Sequence, residues 1–452
     1  MRDTTQSGDP ELRRALGLIA ITAFGVGDIL GAGVYGLVGR IAGMVGNAAW
    51  MSYVVAGLTA ALTGLTYAEF ASRYPRAGGA AHFCQSVFHN SFITFFVIYF
   101  VVLSGLFSIG TSSRIFSNYA MANLPGAPAF LRDYAAPLIF VLMICVVAVR
   151  GIVLSSAANA VCTVIEVSGL LAIIAMGLRW LGSVNYMEFA PAQSETITSG
   201  HLSMIVFSGA SMAFFAFIGF EDLTNLSEEV RDPERNIPLA ICLAILITTL
   251  IYCSIAVVCV SVLSPAALSA SGSPLIDVVS RAAPGFPIWI YSIIPAFAVF
   301  NTALLNLLMA SRIMYGMSRQ DSRILPSALA YIHPAWRTPV VGVAVSFVVV
   351  AGLIIFIREV TVLAAGAASF LLVVFLLLHV ALLKVKLTAG YARAAFQVPA
   401  IVPVLGILTT IVLLTRQETG ALRTAGLLAV VGFALYASNR LIRGKIVVEA
   451  ID

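Results

Sequence analysis

The sequence predicts an all-α integral membrane protein, and three observations lead to that class. Of the 452 residues, 60% are hydrophobic and only 10% are charged, and the mean hydropathy is +0.99. A soluble domain carries about 25% charged residues, so most of this chain could not maintain a water-facing surface. Apolar runs of about 20 residues, the length at which a helix crosses a bilayer, recur along the whole chain.

Twelve of these runs are predicted to be membrane spans. They lie near residues 15–38, 45–70, 84–119, 134–150, 157–180, 203–226, 238–263, 287–317, 340–357, 361–383, 398–415 and 421–440. The connecting segments are short, which leaves no room for a soluble domain. The 18 prolines and 36 glycines indicate that some spans are interrupted, since a membrane helix tolerates a break where neighbouring groups or a cavity satisfy the freed backbone.

The distribution of basic residues predicts the orientation. Most of the 26 lysines and arginines fall in segments on the same side as the two termini. By the positive-inside rule both termini are cytoplasmic, and we expect a multi-pass protein of the cytoplasmic (inner) membrane. This topology explains the net charge of +5, which therefore gives no indication of a nucleic-acid partner. The first apolar run is too long for a signal peptide, so we expect the first span to be retained.

Spans 1 and 6 differ from the others. Span 1 contains "GVGDILGAGVYG", and span 6 contains "FFAFIGFEDL". Interrupted segments at equivalent places in two halves are typical of secondary transporters built from inverted repeats, with the binding site at the bilayer midplane. Because the two segments are five spans apart, the second repeat is inverted. The chain then divides into a cytoplasmic N-tail at 1–14, repeat one (spans 1–5) at 15–182, repeat two (spans 6–10) at 203–383, additional spans 11 and 12 at 398–440, and a cytoplasmic C-tail at 441–452.

The glycines of span 1 predict a binding site for an anionic group. "GAGVYG" fits the dinucleotide pattern G-x-G-x-x-G, but that motif requires a βαβ unit, which a membrane span cannot form. Unwinding near Gly31–Gly33 would instead expose backbone N–H groups at the start of the second half-helix, where they and the helix dipole favour an anion such as a carboxylate. The alternative is close helix packing through small residues.

The break expected at Gly219 in span 6 predicts the complementary half of the site. It would leave the carbonyl groups of Phe215, Ala216 and Ile218 facing the same cavity with partial negative charge, which suits an ammonium group. Amides on one side and carbonyls on the other would complement a zwitterion. The aromatic residues beside the break pack by default, and Phe215 is a candidate gate over the site.

Three acidic residues are candidates for coupling or binding. Glu166 lies in the middle of span 5, where a charge costs about 3 kcal/mol or more, so it should face the interior and either pair or stay protonated. It could serve proton coupling or cation binding, or be a structural hydrogen-bonder. Asp28, one turn before the break, either contacts a substrate or ion or holds the break in place. Glu221, just after the second break, is a weaker coupling candidate.

Other polar residues within the spans are less informative. Asn301, Thr302 and Asn306 in span 8 could line the cavity, but hydrogen bonding between helices is the favoured interpretation. The five histidines show no metal-ligand spacing, and His379 is interpreted as structural. No nucleophile has a plausible base. We therefore expect no enzyme, no metal and no cofactor, with H⁺ or Na⁺ as the possible coupling ion.

Four segments, "GVGDILGAGVYG", "YAEFASRYPRAGGAAHF", "FFAFIGFEDLTNLSEEVRDPERNIPLAI" and "ASRIMYGMSRQDSRILP", resemble signatures of the amino acid-polyamine-organocation (APC) superfamily. The similarity is strongest to its bacterial amino acid permeases and its cationic-amino-acid-transporter-like branch, and it extends over spans 1 to 10. The resemblance implies a leucine-transporter-like fold with a 5+5 inverted repeat, alternating access, and proton- or sodium-driven uptake or exchange of amino acids. It also implies carboxylate binding at Gly31, Ala32 and Gly33.

The same resemblance implies that the amine binds at the carbonyls of Phe215, Ala216 and Ile218, with Phe215 as gate. The chain departs from the family pattern in two places. Many relatives carry a lysine in span 5 where this chain has Glu166, so a lysine-based coupling mechanism does not transfer. Heteromeric relatives bind a partner subunit through a cysteine between spans 3 and 4, where "NLPGAPAFLRDYA" has none. We therefore expect no disulfide-linked partner subunit.

The leading hypothesis is a proton-coupled secondary transporter of amino acids whose partners are the small-molecule substrate and the lipid bilayer. Two alternatives keep the fold, namely a transporter of polyamines or other organic cations and an amino acid exchanger. A third belongs to another class, a transport-deficient amino acid sensor. Competition by an amine without a carboxylate distinguishes the first alternative, and reconstituted flux distinguishes the last.

Overall fold

The computed structural model describes residues 16–75, 78–122, 124, 126–150, 156–190, 199–318, 325–388, 390–391 and 393–443. These ranges are almost entirely helical and contain no strand. The α-helices are α1 Leu18–Ile29, α2 Ala32–Val45, α3 Ala49–Arg73, α4 Gly79–Phe88, α5 Ser91–Met121, α6 Ala136–Val149, α7 Ser156–Gly177, α8 Ser199–Ala213, α9 Pro233–Val262, α10 Pro265–Ala270, α11 Pro274–Ala282, α12 Ile288–Gly316, α13 Val340–Phe356, α14 Val360–Leu387, α15 Ile401–Thr415 and α16 Thr419–Arg443.

The helices have the length and composition of membrane spans. Across the described ranges, nine helical stretches are long and apolar enough to cross a bilayer. Helices α1 and α2 form a tenth if the pair, bent by 48°, is one span. The remaining apolar helices, α13 and α15, are shorter, at 17 and 15 residues. The predicted class of all-α membrane protein is confirmed, and the prediction of twelve spans requires α13 and α15 to cross as well.

Span 1 is interrupted slightly earlier than the glycine pattern predicts. Helix α1 ends at Ile29, Leu30 is extended, and α2 begins at Ala32. Leu30 and Gly31 therefore form the break, and the predicted Gly31–Gly33 segment includes the first turn of α2. Since Gly31 has a backbone conformation outside the helical region (φ −142°, ψ −143°), it separates the two half-helices without a proline.

Span 6 is interrupted at the predicted glycine. After α8 the chain forms a short 3₁₀ turn at Phe214–Phe217, and Ile218 is extended. Gly219 has φ +131°, in the region that favours glycine because it lacks a Cβ atom, and a second 3₁₀ stretch follows at Phe220–Leu226. The half-span after the break is therefore 3₁₀ rather than α-helical.

The interrupted spans lie inside the bundle. Helix α1 packs against α9 and α7, and α2 packs against α8 and α10. Beyond them, α5 packs along α12 and α14, while α3 packs along α9. At the beginning of α1, Leu16 pairs with residues on either side of Val230 through two main-chain hydrogen bonds, from Leu16 N to Glu229 O (3.0 Å) and from Arg231 N to Leu16 O (2.9 Å). The beginning of span 1 is thereby joined to the segment that leaves span 6.

Candidate functional site

A small cavity lies where the breaks of the two interrupted spans face each other. Its volume is about 40 Å³, enough for only a few water molecules. Most of the predicted site residues line it, namely Asp28, Gly31, Ala32, Gly33, Phe215, Ile218 and Glu221. At this volume the cavity has no room for a whole amino acid.

Two glycines allow the breaks to approach this closely. A Cβ atom on Gly33 would lie 2.4 Å from the Cα atom of Ala216, and one on Gly219 would lie 2.8 Å from the carbonyl oxygen of Asp28. Real Cβ contacts are never so short, and in both cases the opposing atoms belong to the backbone. The glycine requirement in the two spans therefore follows from their contact with each other as well as from their own backbone conformation.

The first turn of α2 presents amide groups to the cavity. Residues Gly31, Ala32 and Gly33 line the wall, and no side chain of the described chain caps this helix start. The first N–H groups of a helix have no partner within the helix, and they lie at the positive end of its dipole. This wall can therefore bind an anionic group such as a carboxylate.

The same lining carries three acidic side chains. Asp28, Glu221 and Asp222 all line the cavity, and among the described lining residues none is basic. The Oδ2 atom of Asp28 is buried and has no hydrogen-bond partner in the described part of the chain. Glu221 Oε2 accepts a hydrogen bond from the Gly219 amide (2.9 Å), and Asp222 accepts one from Asn225 (3.1 Å). Asp28 is therefore the carboxylate most available to a positively charged group.

Two of the three predicted carbonyl ligands are already engaged. The carbonyl of Phe215 accepts a hydrogen bond from the Ile218 amide (3.3 Å). The carbonyl of Ala216 accepts one from the Tyr252 hydroxyl (2.8 Å), and Ala216 is absent from the cavity lining. The side chain of Phe215 is buried against the cavity, which is the position that a gate would occupy.

Glu166 lies outside the cavity lining. Its side chain is only 1% exposed, so it faces the interior as predicted, and its Oε1 atom has no hydrogen-bond partner among the described residues. Glu166 is therefore buried on α7, which packs against α1, but it does not line the cavity.

Several lining residues escaped the sequence analysis. Ser104 and Ser108 of α5 line the cavity, and their spacing of four residues places them on one helix face, which is a signal that sequence alone could have given. Asn306 of α12, one of the residues singled out from sequence, does line the cavity and donates to the Thr302 carbonyl (2.9 Å). Asp222 was overlooked beside its neighbour Glu221.

A second group of buried polar residues lies away from the cavity, where α3 meets α14. Glu69 is fully buried and accepts hydrogen bonds from Arg73 (2.9 Å), from Lys386 (2.7 Å) and from the amide of Val398 (2.9 Å). Both carboxylate oxygens are therefore paired. This Glu69 cluster joins the ends of α3 and α14 to the segment before α15.

His379 connects the same two helices nearer to their middle. Its Nε2 atom lies 3.2 Å from the Thr63 hydroxyl, and its Nδ1 atom lies 2.9 Å from the Thr66 hydroxyl. Gly406 of α15 gives the ring its space, since a Cβ atom there would lie 2.2 Å from the imidazole. Both ring nitrogens are paired, in agreement with the structural role predicted from the sequence.

Comparison with known proteins identifies the relatives of this chain. A family described as "Amino acid permease" matches residues 16–434. A cationic amino acid transporter of Arabidopsis thaliana chloroplasts (transporter 9) is 29% identical over 350 residues, which is 73% of this chain but only 58% of that protein. The branched-chain amino acid permease BcaP of Bacillus subtilis is 26% identical, with 74% and 73% of the two chains aligned. The methylthioribose transporter of the same species is 27% identical, with 90% and 88% aligned.

Proposed function

The chain belongs to the amino acid permease family, within the APC superfamily, and is a multi-pass membrane transporter rather than an enzyme. On that premise we propose that it carries amino acids across the cytoplasmic membrane by alternating access, driven by protons. The proposal includes twelve crossings with α13 and α15 among them, both termini in the cytoplasm, and the 5+5 inverted repeat at 15–182 and 203–383 with spans 11 and 12 outside it.

The observation that carries this proposal is the polarity of the central cavity. The uncapped amides at the start of α2 and the unpartnered Asp28 carboxylate line the same cavity. An α-amino acid offers one anionic and one cationic group at a fixed short separation, so this arrangement complements it. Gly31, Ala32 and Gly33 would hold the carboxylate, while Asp28 and the carbonyl side of span 6 (Phe215, Ala216 and Ile218) would attract the ammonium group.

Alternating access is proposed because the cavity is small and lies between the breaks of the two interrupted spans. Separation of the half-helices on one side of the break would open the cavity to that side only, and Phe215 would close it again as a gate. A channel would need a continuous path, which the direct contact between Gly33 and Ala216 opposes.

Uptake into proteoliposomes tests the transport activity. The purified protein should accumulate label from a ¹⁴C-labelled mixture of the protein amino acids when the interior is made alkaline relative to the outside. Binding of the mixture without any flux would instead indicate a sensor, and flux only into vesicles preloaded with amino acids would indicate an exchanger. Replacing Na⁺ by choline should leave the accumulation unchanged if protons are the coupling ion.

Glu166 is proposed as the residue that carries the driving proton, with Glu221 as a weaker candidate. Glu166→Gln keeps the shape of the side chain and removes the proton site. This variant should lose gradient-driven accumulation while exchange of bound substrate continues. Glu359→Gln, at an exposed position before α14, is the matched control and should behave as the unmodified protein. Undiminished accumulation by Glu166→Gln would reject the role.

A second cargo class is favoured by the excess of acidic groups. Asp28, Glu221 and Asp222 give the cavity more carboxylates than a zwitterion requires, and a polyamine or another organic cation would use them. Putrescine should then compete with uptake better than L-leucine does, and Asp222→Asn should weaken that competition. Competition by L-leucine alone would exclude this cargo.

A further inference from the structure

We propose that Tyr252 is the positioning residue that holds the breaks of the two interrupted spans together while the carrier is empty. The inference rests on the proposed transport function. Tyr252 lies on α9, outside the cavity lining, and its side chain is fully buried. Neither the sequence nor the cavity lining indicates a role for Tyr252. The proposed role follows from the two carbonyl oxygens that its hydroxyl group contacts.

The Tyr252 hydroxyl lies between two helix ends. Its oxygen is 2.8 Å from the carbonyl oxygen of Ile29 and 2.8 Å from that of Ala216. Ile29 is the last residue of α1, and Ala216 belongs to the 3₁₀ turn that ends α8. Both oxygens are therefore carbonyl groups at the negative ends of their helices. In a membrane interior such groups need a donor from the protein.

One hydroxyl proton cannot fully satisfy two acceptors. A phenol carries a single O–H donor, so the two carbonyl groups share it, and the two negative helix ends remain close together with only partial compensation. Ile29 also lines the cavity. An ammonium group bound in the cavity would supply the positive charge that these two ends lack.

The empty and the loaded carrier therefore depend on Tyr252 to different degrees. In the loaded carrier the cationic group of the substrate offsets both helix ends. In the empty carrier Tyr252 is the donor that both ends share. Loss of the hydroxyl group should slow the return of the empty carrier more than the movement of the loaded one, since only the empty carrier then has two uncompensated carbonyl groups.

The surroundings of Tyr252 fix its ring and provide a matched control. The Tyr252 ring packs against Tyr53 of α3, at 5.7 Å between centroids, and against Phe217, at 5.3 Å. The hydroxyl group of Tyr53 is buried and has no hydrogen-bond partner in the described chain. Tyr53→Phe therefore removes a hydroxyl group from the neighbouring ring without removing a hydrogen bond to either break.

The experiment compares Tyr252→Phe with Tyr53→Phe in proteoliposomes, using the ¹⁴C-labelled mixture of protein amino acids. Net uptake requires the empty carrier to return, whereas exchange against an internal unlabelled mixture does not. Tyr252→Phe should reduce net uptake by about tenfold, the effect of a barrier raised by about 1.4 kcal/mol, and leave exchange within about twofold. Tyr53→Phe should change neither.

An equal fall in net uptake and exchange in Tyr252→Phe would show a general structural defect and overturn the proposal, as would unchanged net uptake. Absence of both fluxes in the unmodified protein would instead overturn the proposed function, and this role with it. If Tyr252→Phe does not fold, hydrogen exchange of the unmodified empty protein decides. Amides of residues 30–34 and 218–221 should then show common protection, and protection that differs by more than about tenfold overturns the proposal.

Discussion

The central cavity and the junction of α3 with α14 both bury ionisable side chains, but they satisfy them differently. At the junction, Glu69 accepts from two cations and one amide. At the centre, Asp28 and Glu166 each keep a carboxylate oxygen without a hydrogen-bond partner in the described residues. All three side chains are buried, with exposed fractions of at most 8%.

The carboxyl group of Glu69 at the junction has hydrogen-bond partners that stabilise the fold, whereas Asp28 and Glu166 at the centre each have a carboxylate oxygen without such a partner among the described residues. A buried charge without a partner destabilises the fold, so the two central carboxyl groups add no stability when they are ionised. At the junction, each charge has its partners, and removing Glu69 takes the carboxylate away from both Arg73 and Lys386. We therefore expect substitutions at the junction to affect folding and substitutions at the centre to affect transport.

The largest effect on stability is expected from Glu69→Ala. It leaves Arg73 and Lys386 without their carboxylate, and loss of one partner of a buried ion pair costs about 3–5 kcal/mol. The free energy of unfolding in detergent should fall by that amount. Asp133→Ala, which breaks the more exposed pair with Arg132, should cost at most about 1 kcal/mol. Equal losses in the two variants would contradict the comparison.

An intermediate effect is expected from His379→Leu. The free energy of unfolding should fall by about 1–3 kcal/mol, the cost of leaving a buried polar group without a partner. The loss is limited because the hydroxyl groups of Thr63 and Thr66 also contact carbonyl groups of their own helix, at 3.0 and 3.2 Å. The rate of uptake per folded molecule should not change, and a selective loss of uptake would move His379 into the transport mechanism.

The smallest effect on stability is expected from Glu166→Gln. Because Glu166 Oε1 has no hydrogen-bond partner to lose, the free energy of unfolding should stay within about 1 kcal/mol of the unmodified value or rise. Glu69→Gln, the same chemical change at the junction, should destabilise clearly. Chemical denaturation measures the free energy of unfolding of both variants. A marked destabilisation by Glu166→Gln would show that Glu166, like Glu69, stabilises the fold.

Gly33→Ala tests whether transport depends on the contact between the two breaks. The new Cβ atom would overlap the backbone of Ala216, which forces the two breaks apart, and uptake should fall by at least about tenfold (at least about 1.4 kcal/mol on the barrier). Gly352→Ala in α13, where the space is open, should leave uptake unchanged. Uptake by Gly33→Ala at the level of Gly352→Ala would show that contact between the breaks is not needed.

The sequence predicted the interruptions but not the contacts around them. Gly31 and Gly219 act through their own backbone, so the local pattern was sufficient to place both breaks to within a few residues. The partners of Glu69 could not be predicted, because Lys386 lies 317 positions away and only the packing of α3 on α14 brings them together. The direction in which Glu166 points depends on the rotation of α7 within the bundle, so sequence placed it in the interior but not relative to the cavity.

The contacts of Tyr252 could not be predicted from the sequence either. Tyr252 is the only aromatic residue of α9, but the sequence does not show that its hydroxyl group contacts two distant helix ends. Asp222, by contrast, was within reach of sequence analysis, since it follows Glu221 directly in the 3₁₀ stretch that leaves the break.

The pairing of Leu16 with residues 229–231 has a consequence for how the protein releases its cargo. The two interrupted spans share a small main-chain latch at the membrane face where the chain begins. If substrate leaves between the two spans, either the two hydrogen bonds of this latch break or the beginning of span 1 and the segment after span 6 move together. Undoing the latch exchanges two peptide hydrogen bonds for bonds to water, a replacement with a small net cost. The contact between the two interrupted spans on this side therefore consists of hydrogen bonds that water can replace.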